Sequence, residues 1–151
     1  MDERGKPSRK DLALQVVRTG RPLFAVGFDF GEMDLSSAGW LRGANLTASM
    51  FYASTLQASD LSYAELQGCE FCEADLMSTS FMCANIGDAN FRRASVHGAD
   101  FRCAIGIESA DWREVDGLDS AIFDARGREE VAKSLARYAT TTTTAPTGAK
   151  E

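Results

Sequence analysis

The 151-residue chain has few basic residues and no long apolar runs, the features that nucleic-acid-binding and membrane-spanning proteins need. Sixteen Lys and Arg against twenty-two Asp and Glu give a formal net charge of -6. This argues against direct binding of nucleic acid, because phosphate contacts need clustered Lys and Arg. The apolar runs are only a few residues long, so a membrane span is not expected. No apolar run follows the charged N-terminus, so no secretory signal is expected, and we predict a cytoplasmic protein.

Residues that carry catalysis are also scarce. The single histidine is His97, and nothing in the pattern aims a nucleophile and an orienting group at it, so we expect no catalytic residues and no enzyme. Cys69 and Cys72 have C-x-x-C spacing, but Cys69 should face inward and Cys72 outward, so no metal site is predicted. The Gly-rich phosphate loop G-x-x-x-x-G-K-[ST] is missing, and no cofactor is expected.

The strongest feature of the sequence is a period of five residues. Every fifth residue over more than fifty residues is large and apolar, and we predict that these twelve form the core: Leu46, Phe51, Leu56, Leu61, Leu66, Phe71, Leu76, Phe81, Ile86, Phe91, Val96 and Phe101. The residue two positions before each of them is small. Neither a helical period of 3.6 nor a strand period of 2 produces this pattern. It suits a backbone that turns a corner every five residues.

Four such five-residue sides make a square coil of twenty residues. Phe51, Phe71 and Phe91 then fall on one side, and Phe81 lies above Phe101 on another. Neighbouring coils should be about 4.8 Å apart, as neighbouring strands are, and aromatic rings can stack at that distance. Cys83 and Cys103 are also twenty residues apart. That spacing permits a disulfide by its Cα distance, but reduced thiols are the expectation.

Several segments, among them Ala44-Asn45-Leu46, Ala74-Asp75-Leu76 and Ala99-Asp100-Phe101, share an Ala–Asp/Asn–Leu/Phe pattern followed by two variable residues. This pattern resembles the motif of the pentapeptide-repeat family over roughly residues 28–123. The resemblance implies an all-β solenoid, a right-handed quadrilateral β-helix, of about 4–5 coils.

The ends of the chain depart from the repeat. Ser8 can cap an N-terminal helix with Asp11 three residues later, and Gly20 can end it. We predict an N-terminal tail and capping helix at 1–22, the repeat β-helix at 23–124, a C-terminal helix at 125–139 and a disordered tail at 140–151. Ala38-Gly39-Trp40 is interpreted as a repeat, and one inserted residue predicts a bulge around Leu41–Gly43.

Function must then lie in the outward residues. Residues 1–21 hold six bases and three acids, net +3, and residues 22–105 hold four bases and ten acids, net -6. The candidate interaction surface comprises Met50, Tyr52, Asp60, Tyr63, Glu65, Glu70, Asp75 and Asp100.

Two hypotheses for the function stay open. Small free-standing members of the Qnr type are similar acidic rods, and this resemblance implies a DNA mimic. Such a rod would bind DNA gyrase or topoisomerase IV through its shape and negative charge and protect them from quinolone-type inhibitors. The alternative is a generic interaction, assembly or decoration module unrelated to topoisomerases. Both hypotheses expect a protein partner, and the C-terminal end is a candidate site for a homodimer.

Overall fold

Parallel backbone pairing between residues twenty to twenty-two positions apart organises the chain. A computed structural model describes residues 5–141, so residues 1–4 of the expected N-terminal tail and residues 142–151 of the expected disordered tail lie outside the described part. Helix α1 spans Arg9–Thr19, a 3-10 helix spans Gly39–Leu41, and helix α2 spans Ala125–Thr141. Between α1 and α2 the pairing consists of isolated parallel bridges, so the repeat segment is a β-solenoid.

The bridges form four columns, one for each side of the solenoid. Side 1 carries Phe24, Asn45, Glu65, Asn85 and Ile105, and side 2 carries Asp29, Met50, Glu70, Asn90 and Asp111. Side 3 carries Asp34, Thr55, Asp75, Ser95 and Asp116, and side 4 carries Asp60, Ser80, Asp100 and Ile122. The chain passes the sides in this order, so sides 1 and 3 are opposite each other. Each side comprises the bridged residues and those that follow them up to the next column.

The interior contains one large and one small side chain from each repeat. All twelve large residues from Leu46 to Phe101 have no exposed surface. The small hydroxyl residues between them are also buried, and their side chains bond to backbone carbonyls. Ser54 Oγ donates to Phe51 O at 2.8 Å, and Thr79 Oγ1 donates to Leu56 O at 2.7 Å. The core is thus apolar except for polar groups that are satisfied internally.

Aromatic rings stack along two sides of the core. On side 2 the stack runs through Phe30, Phe51, Phe71, Phe91 and Trp112, with centroids 4.7 to 5.1 Å apart. On side 4 the rings of Phe81, Phe101 and Phe123 stack at 4.7 and 5.1 Å. The two stacks meet edge to face; the Phe71 and Phe81 rings, for example, are perpendicular at 5.8 Å. Offset stacks and perpendicular contacts are both favourable arrangements for aromatic rings.

The corners explain why Asp or Asn precedes so many of the large residues. At each corner one residue takes a left-handed conformation, for example Ala48 with φ 57° and Ala53 with φ 51°. The side chain at the bridged position accepts a hydrogen bond from the N–H two residues later, as Asp60 does from Ser62 and Asn90 from Arg92. This local bond supports the turn with either Asp or Asn.

The inserted residue lies earlier than the sequence pattern predicted. Trp40 is partly exposed, whereas Leu41 has no exposed surface, so the interpretation of Ala38-Gly39-Trp40 as a repeat was wrong. The 3-10 helix Gly39–Leu41 absorbs the extra residue and turns Leu41 inward. The insertion also explains why the bridges from Phe24, Asp29 and Asp34 reach twenty-one residues ahead.

Glycine replaces the large residue at two positions near the C-terminal end of the solenoid. Gly106 has φ +82°, and a Cβ there would lie 2.4 Å from Gly87 Cα. Gly117 has φ +83°, and a Cβ there would lie 2.6 Å from the His97 ring. No other residue fits these positions without displacing the coil before them. Trp112 and Phe123 continue the aromatic stacks between and after the glycines.

Both helices contact the core. In α1, Asp11 N–H donates to Ser8 Oγ and Ser8 N–H donates to the Asp11 carboxylate, the predicted capping box, and Gly20 ends the helix with φ 62°. Leu12 of α1 is buried in the core. In α2, Ser134 Oγ donates to Ala110 O at 3.3 Å. Helix α2 ends at Thr141, two residues beyond the predicted 139, because the helical backbone continues through Thr140, whose Oγ1 donates to Arg137 O at 2.8 Å.

Replacing Phe71 by Ala should leave a void in the middle of the side 2 stack. We expect the free energy of unfolding to fall by about 3–5 kcal/mol, measured by urea denaturation. Glu70→Gln is the matched control, because this neighbouring side chain is exposed and its replacement should change stability by less than about 0.5 kcal/mol. Equal losses in the two variants would contradict the placement of Phe71 inside and Glu70 outside.

Candidate interaction surface

The residues of the candidate surface are distributed over all four sides. Met50 and Glu70 are bridged neighbours on side 2, and Tyr52 follows Met50 and donates its hydroxyl to Glu73 Oε2 at 3.1 Å. The structure therefore brings Met50, Tyr52 and Glu70 together. Glu65 lies on side 1 and Asp75 on side 3, each apart from that group.

A second group lies on side 4. The Arg42 guanidinium lies 4.6 Å from the centroid of the Tyr63 ring and 3.5 Å from Asp60 Oδ2. Asp100 is in the same column as Asp60, with Ser80 between them. The Arg42 guanidinium therefore offsets the negative charge of Asp60 and lies over the Tyr63 ring, so this group offers less free charge and less apolar surface than Asp60 and Tyr63 alone would.

The whole solenoid is more acidic than its residues 22–105, which carry a net charge of -6. The second helix begins at Ala125, and residues 22–124 contain sixteen acidic and five basic residues, a net charge of -11. Residues 1–21 carry +3, and residues 125–151, with five basic and three acidic residues, carry +2. The negative charge is thus concentrated on the solenoid between two basic ends.

All five basic residues of this segment lie on sides 2 and 4, and each is paired with a carboxylate. The pairs are Arg42 with Asp60 at 3.5 Å, Arg92 with Glu114 at 2.7 Å, Arg93 with Glu114 at 2.8 Å, Arg102 with Asp100 at 2.6 Å and Arg113 with Asp111 at 2.5 Å. Side 1 has the acids Glu65, Asp88 and Glu108, and side 3 has Asp34, Asp75, Asp116 and Asp119, with no Lys or Arg on either. The repeats of these two opposite sides therefore contribute acids without Lys or Arg, and the basic residues nearest to them come from the helices, Arg9 of α1 at Ser36 and Arg137 of α2 at Glu108.

Hydrogen bonds keep several of these carboxylates ionised. The Ser36 hydroxyl and backbone N–H both donate to Asp34 and lower the pKa of its carboxyl group. Hydrogen bonds from the Arg102 and Arg113 side chains likewise lower the pKa of Asp100 and Asp111. Because protonation would weaken these bonds, these carboxylates are negatively charged at neutral pH.

His97 has partners that the sequence did not reveal. Its Nε2 lies 3.0 Å from Asp116 Oδ2, and its Nδ1 lies 3.1 Å from Ser120 Oγ. The Ser120 hydroxyl also donates to Gly117 O at 3.0 Å, so its proton has a backbone acceptor. The three residues therefore link two coils.

The two cysteines of the C-x-x-C segment differ in their exposure. Cys69 is buried, its thiol donates to Leu46 O at 3.0 Å, and burial raises its pKa to about 12. Cys72 is partly exposed. In residues 5–141 no three His, Cys, Asp or Glu side chains are placed to hold a metal ion. Neither helix within the same residues is long and apolar enough to cross a membrane.

Comparison with known proteins identifies the repeat. No curated protein matches the sequence significantly. Among solved structures, the chain is similar to the pentapeptide repeat protein Rfr23 from the cyanobacterium Cyanothece 51142, at 18% identity over 74% of this chain and 97% of that one, with a TM-score of 0.35. It is also similar to a pentapeptide repeat protein from the Arabidopsis thaliana thylakoid lumen, at 28% identity over 56% of this chain and 69% of that one, with a TM-score of 0.32.

A third similar structure is QnrB1, a plasmid-mediated fluoroquinolone resistance protein, at 23% identity over 67% of this chain and 51% of that one, with a TM-score of 0.38. The family model for pentapeptide repeats matches residues 41–77 and 56–93, with eight copies of the repeat. These are the residues whose five-residue sides form the central part of the solenoid. The central part of the chain therefore consists of pentapeptide repeats, as that family model describes them.

Proposed function

We propose that this protein is a non-enzymatic rod that binds a protein partner by mimicking the negative charge and elongated shape of DNA. The proposed partner is DNA gyrase or topoisomerase IV, which the rod would protect from quinolone-type inhibitors. The proposal includes a cytoplasmic location and the use of α1 and α2 as caps on a rod of about five coils. The observation that carries it is the net charge of -11 on residues 22–124.

The charge can be compared with that of DNA of equal length. Sides 1, 2 and 3 each have five bridged residues, and five coils at about 4.8 Å each occupy about 24 Å. B-DNA carries one phosphate charge per about 1.7 Å of its axis, or about 14 charges over that length. The net charge of -11 on the solenoid is roughly three-quarters of this number, which supports binding in a basic groove that normally holds DNA.

The placement of the charge supports the same proposal. Each Arg of the solenoid is paired with a carboxylate on side 2 or side 4, whereas sides 1 and 3 carry acids without Lys or Arg. Positive walls on both flanks of a groove would meet these two opposite sides.

The alternative is a generic interaction or assembly module. Met50 and Tyr52 favour it, because these neighbouring side chains on side 2 are 44% and 49% exposed. Exposed aromatic and Met side chains are common in the centres of protein interfaces. This module would bind through side 2 and would not require the acidic sides.

A supercoiling assay of DNA gyrase with a quinolone distinguishes the DNA mimic from the generic interaction module. The variant Asp34→Asn, Asp75→Asn, Asp116→Asn removes three charges from one column of side 3, and Asn keeps the corner hydrogen bonds that Asp34 and Asp75 accept from the chain two residues later. We expect the protein concentration that gives half-maximal protection to rise about tenfold, equivalent to about 1.4 kcal/mol.

The matched control is Glu70→Gln, Glu73→Gln, Glu114→Gln, which removes three charges from side 2. It should protect like the unmodified protein. Equal losses in the two variants would mean that only total charge matters. If the unmodified protein binds neither gyrase nor topoisomerase IV, the DNA mimic is refuted. The interaction module that binds through side 2 is then the remaining hypothesis.

We also propose that the chain forms a homodimer through its C-terminal end. Leu118, Phe123, Val131 and Leu135 line an apolar groove there, and Leu135 is 36% exposed. Leu135→Asp should reduce the mass measured by light scattering from two chains to one. Leu14→Asp on α1 is the control, because Leu14 is 37% exposed at the other helix. A mass of one chain for the unmodified protein would refute the dimer.

A further inference from the structure

Two cysteines occupy the same corner of successive coils on side 4. The bridge between Ser80 and Asp100 lies three residues before them, and Cys83 N–H donates to Arg102 O at 3.0 Å. Both residues have the left-handed corner conformation, with φ 57° for Cys83 and φ 59° for Cys103. In-register neighbours are about 4.8 Å apart, which is within the Cα range of about 4.4–6.8 Å that a disulfide needs.

The two thiols are free and open to solvent, since Cys83 is partly exposed and Cys103 is exposed. The pKa of Cys103 is raised, first by its electrostatic interaction with Cys83, because a negative charge on one sulfur disfavours a second one beside it. Oxidation of Cys103 would therefore draw on a small thiolate fraction.

The other cysteines have no such neighbour. Cys69 is buried and donates its thiol proton to Leu46 O. Cys72 lies on side 2, where the residues twenty positions before and after it are Tyr52 and Arg92. Cys83 and Cys103 are therefore the pair that the fold prepares for a disulfide.

We propose that Cys83 and Cys103 are a redox site that a hydroperoxide oxidises to a disulfide between coils. One of the two cysteines attacks the peroxide as its thiolate, the O–O bond breaks, and this cysteine becomes a sulfenic acid while the peroxide leaves as an alcohol, or as water from hydrogen peroxide. The other cysteine then attacks the sulfenyl sulfur, the S–S bond forms, and the sulfenic oxygen leaves as water with the proton of the second thiol. Two thiols are oxidised and one peroxide is reduced.

The disulfide would restrain the end of the solenoid that leads into α2. Cys103 N–H donates to Asp124 Oδ2 at 3.0 Å, and Asp124 Oδ1 accepts from Gly127 N–H in the first turn of α2. A covalent link at Cys103 therefore restrains the segment that precedes the helix. Oxidised protein should show a higher urea midpoint than reduced protein.

Peptide mapping of the intact protein after treatment with hydrogen peroxide tests the proposal. Trypsin cleaves after Arg42, Arg92, Arg102 and Arg113, so Cys83 lies in peptide 43–92 and Cys103 in peptide 103–113. We expect these peptides to be joined under non-reducing conditions, with a mass two hydrogen atoms below their sum, and to separate after treatment with dithiothreitol. Protein mass by light scattering should not change, because the link is within one chain.

Two variants identify which cysteine of peptide 43–92 forms the disulfide with Cys103. Cys83→Ser should abolish the joined peptides, and serine suits this corner because Ser78 has the same left-handed conformation, with φ 55°. Cys72→Ser should leave the joined peptides unchanged, which identifies Cys83 within peptide 43–92. Loss of the link in Cys72→Ser, a link between two chains, or sulfinic acid at Cys103 with no joined peptides would each overturn the proposal.

Discussion

Register between successive coils is the constraint on which this structure depends. Backbone bonds join each repeat to the one twenty to twenty-two residues away, and only that register places one Phe ring above another. When the chain has an extra residue, the coil absorbs it at a corner, as the 3-10 helix Gly39–Leu41 does. The stacks of Phe51, Phe71 and Phe91 then continue without interruption. Stacking and register support each other, because a slip of one residue would move every large side chain from the core to the surface.

The same constraint leaves the surface free to carry function. Each side needs one large and one small residue inside and one residue able to turn the corner, and Asp or Asn before the large residue supports the turn equally well. Acids can therefore be placed at corners without loss of stability, which is how Asp34, Asp75 and Asp100 contribute both to the fold and to the charge. Neutral Asn at positions 45, 85 and 90 supports its corners in the same way. The fold is therefore compatible with a net charge of -11 on the solenoid but does not require it.

Much of the core follows from the sequence, because a five-residue period relates residues that are near each other in the chain. The ring stacks and the Ser8 cap could be predicted for this reason. The identity of the inward residue at the insertion could not, because Trp40 and Leu41 are both large and apolar, and only the three-dimensional turn decides between them. The contacts of His97 with Asp116 and Ser120 were missed because extra residues after Phe101 shift the register by one.

The candidate surface could likewise be predicted from the sequence only in part. The sequence places Met50 and Tyr52 on one side, since they are two residues apart around one large residue. It did not show that every Arg of the solenoid would be paired, because Arg42 meets Asp60 and Arg92 meets Glu114 across coils. The net charge of -11, in contrast, follows from the sequence, because the predicted β-helix range 23–124 already contains the sixteen acids and five bases. Long-range pairing is a property of the assembled coil.

Insertion of repeated segments tests the register most directly. Duplicating residues 66–85 adds twenty residues, one full coil, whereas duplicating residues 66–83 adds eighteen and puts every later residue out of register. The account predicts that the first variant unfolds in one cooperative urea transition with a steeper denaturant dependence, because more surface is buried. It predicts that the second variant loses that transition. Equal stability of the two variants would contradict it.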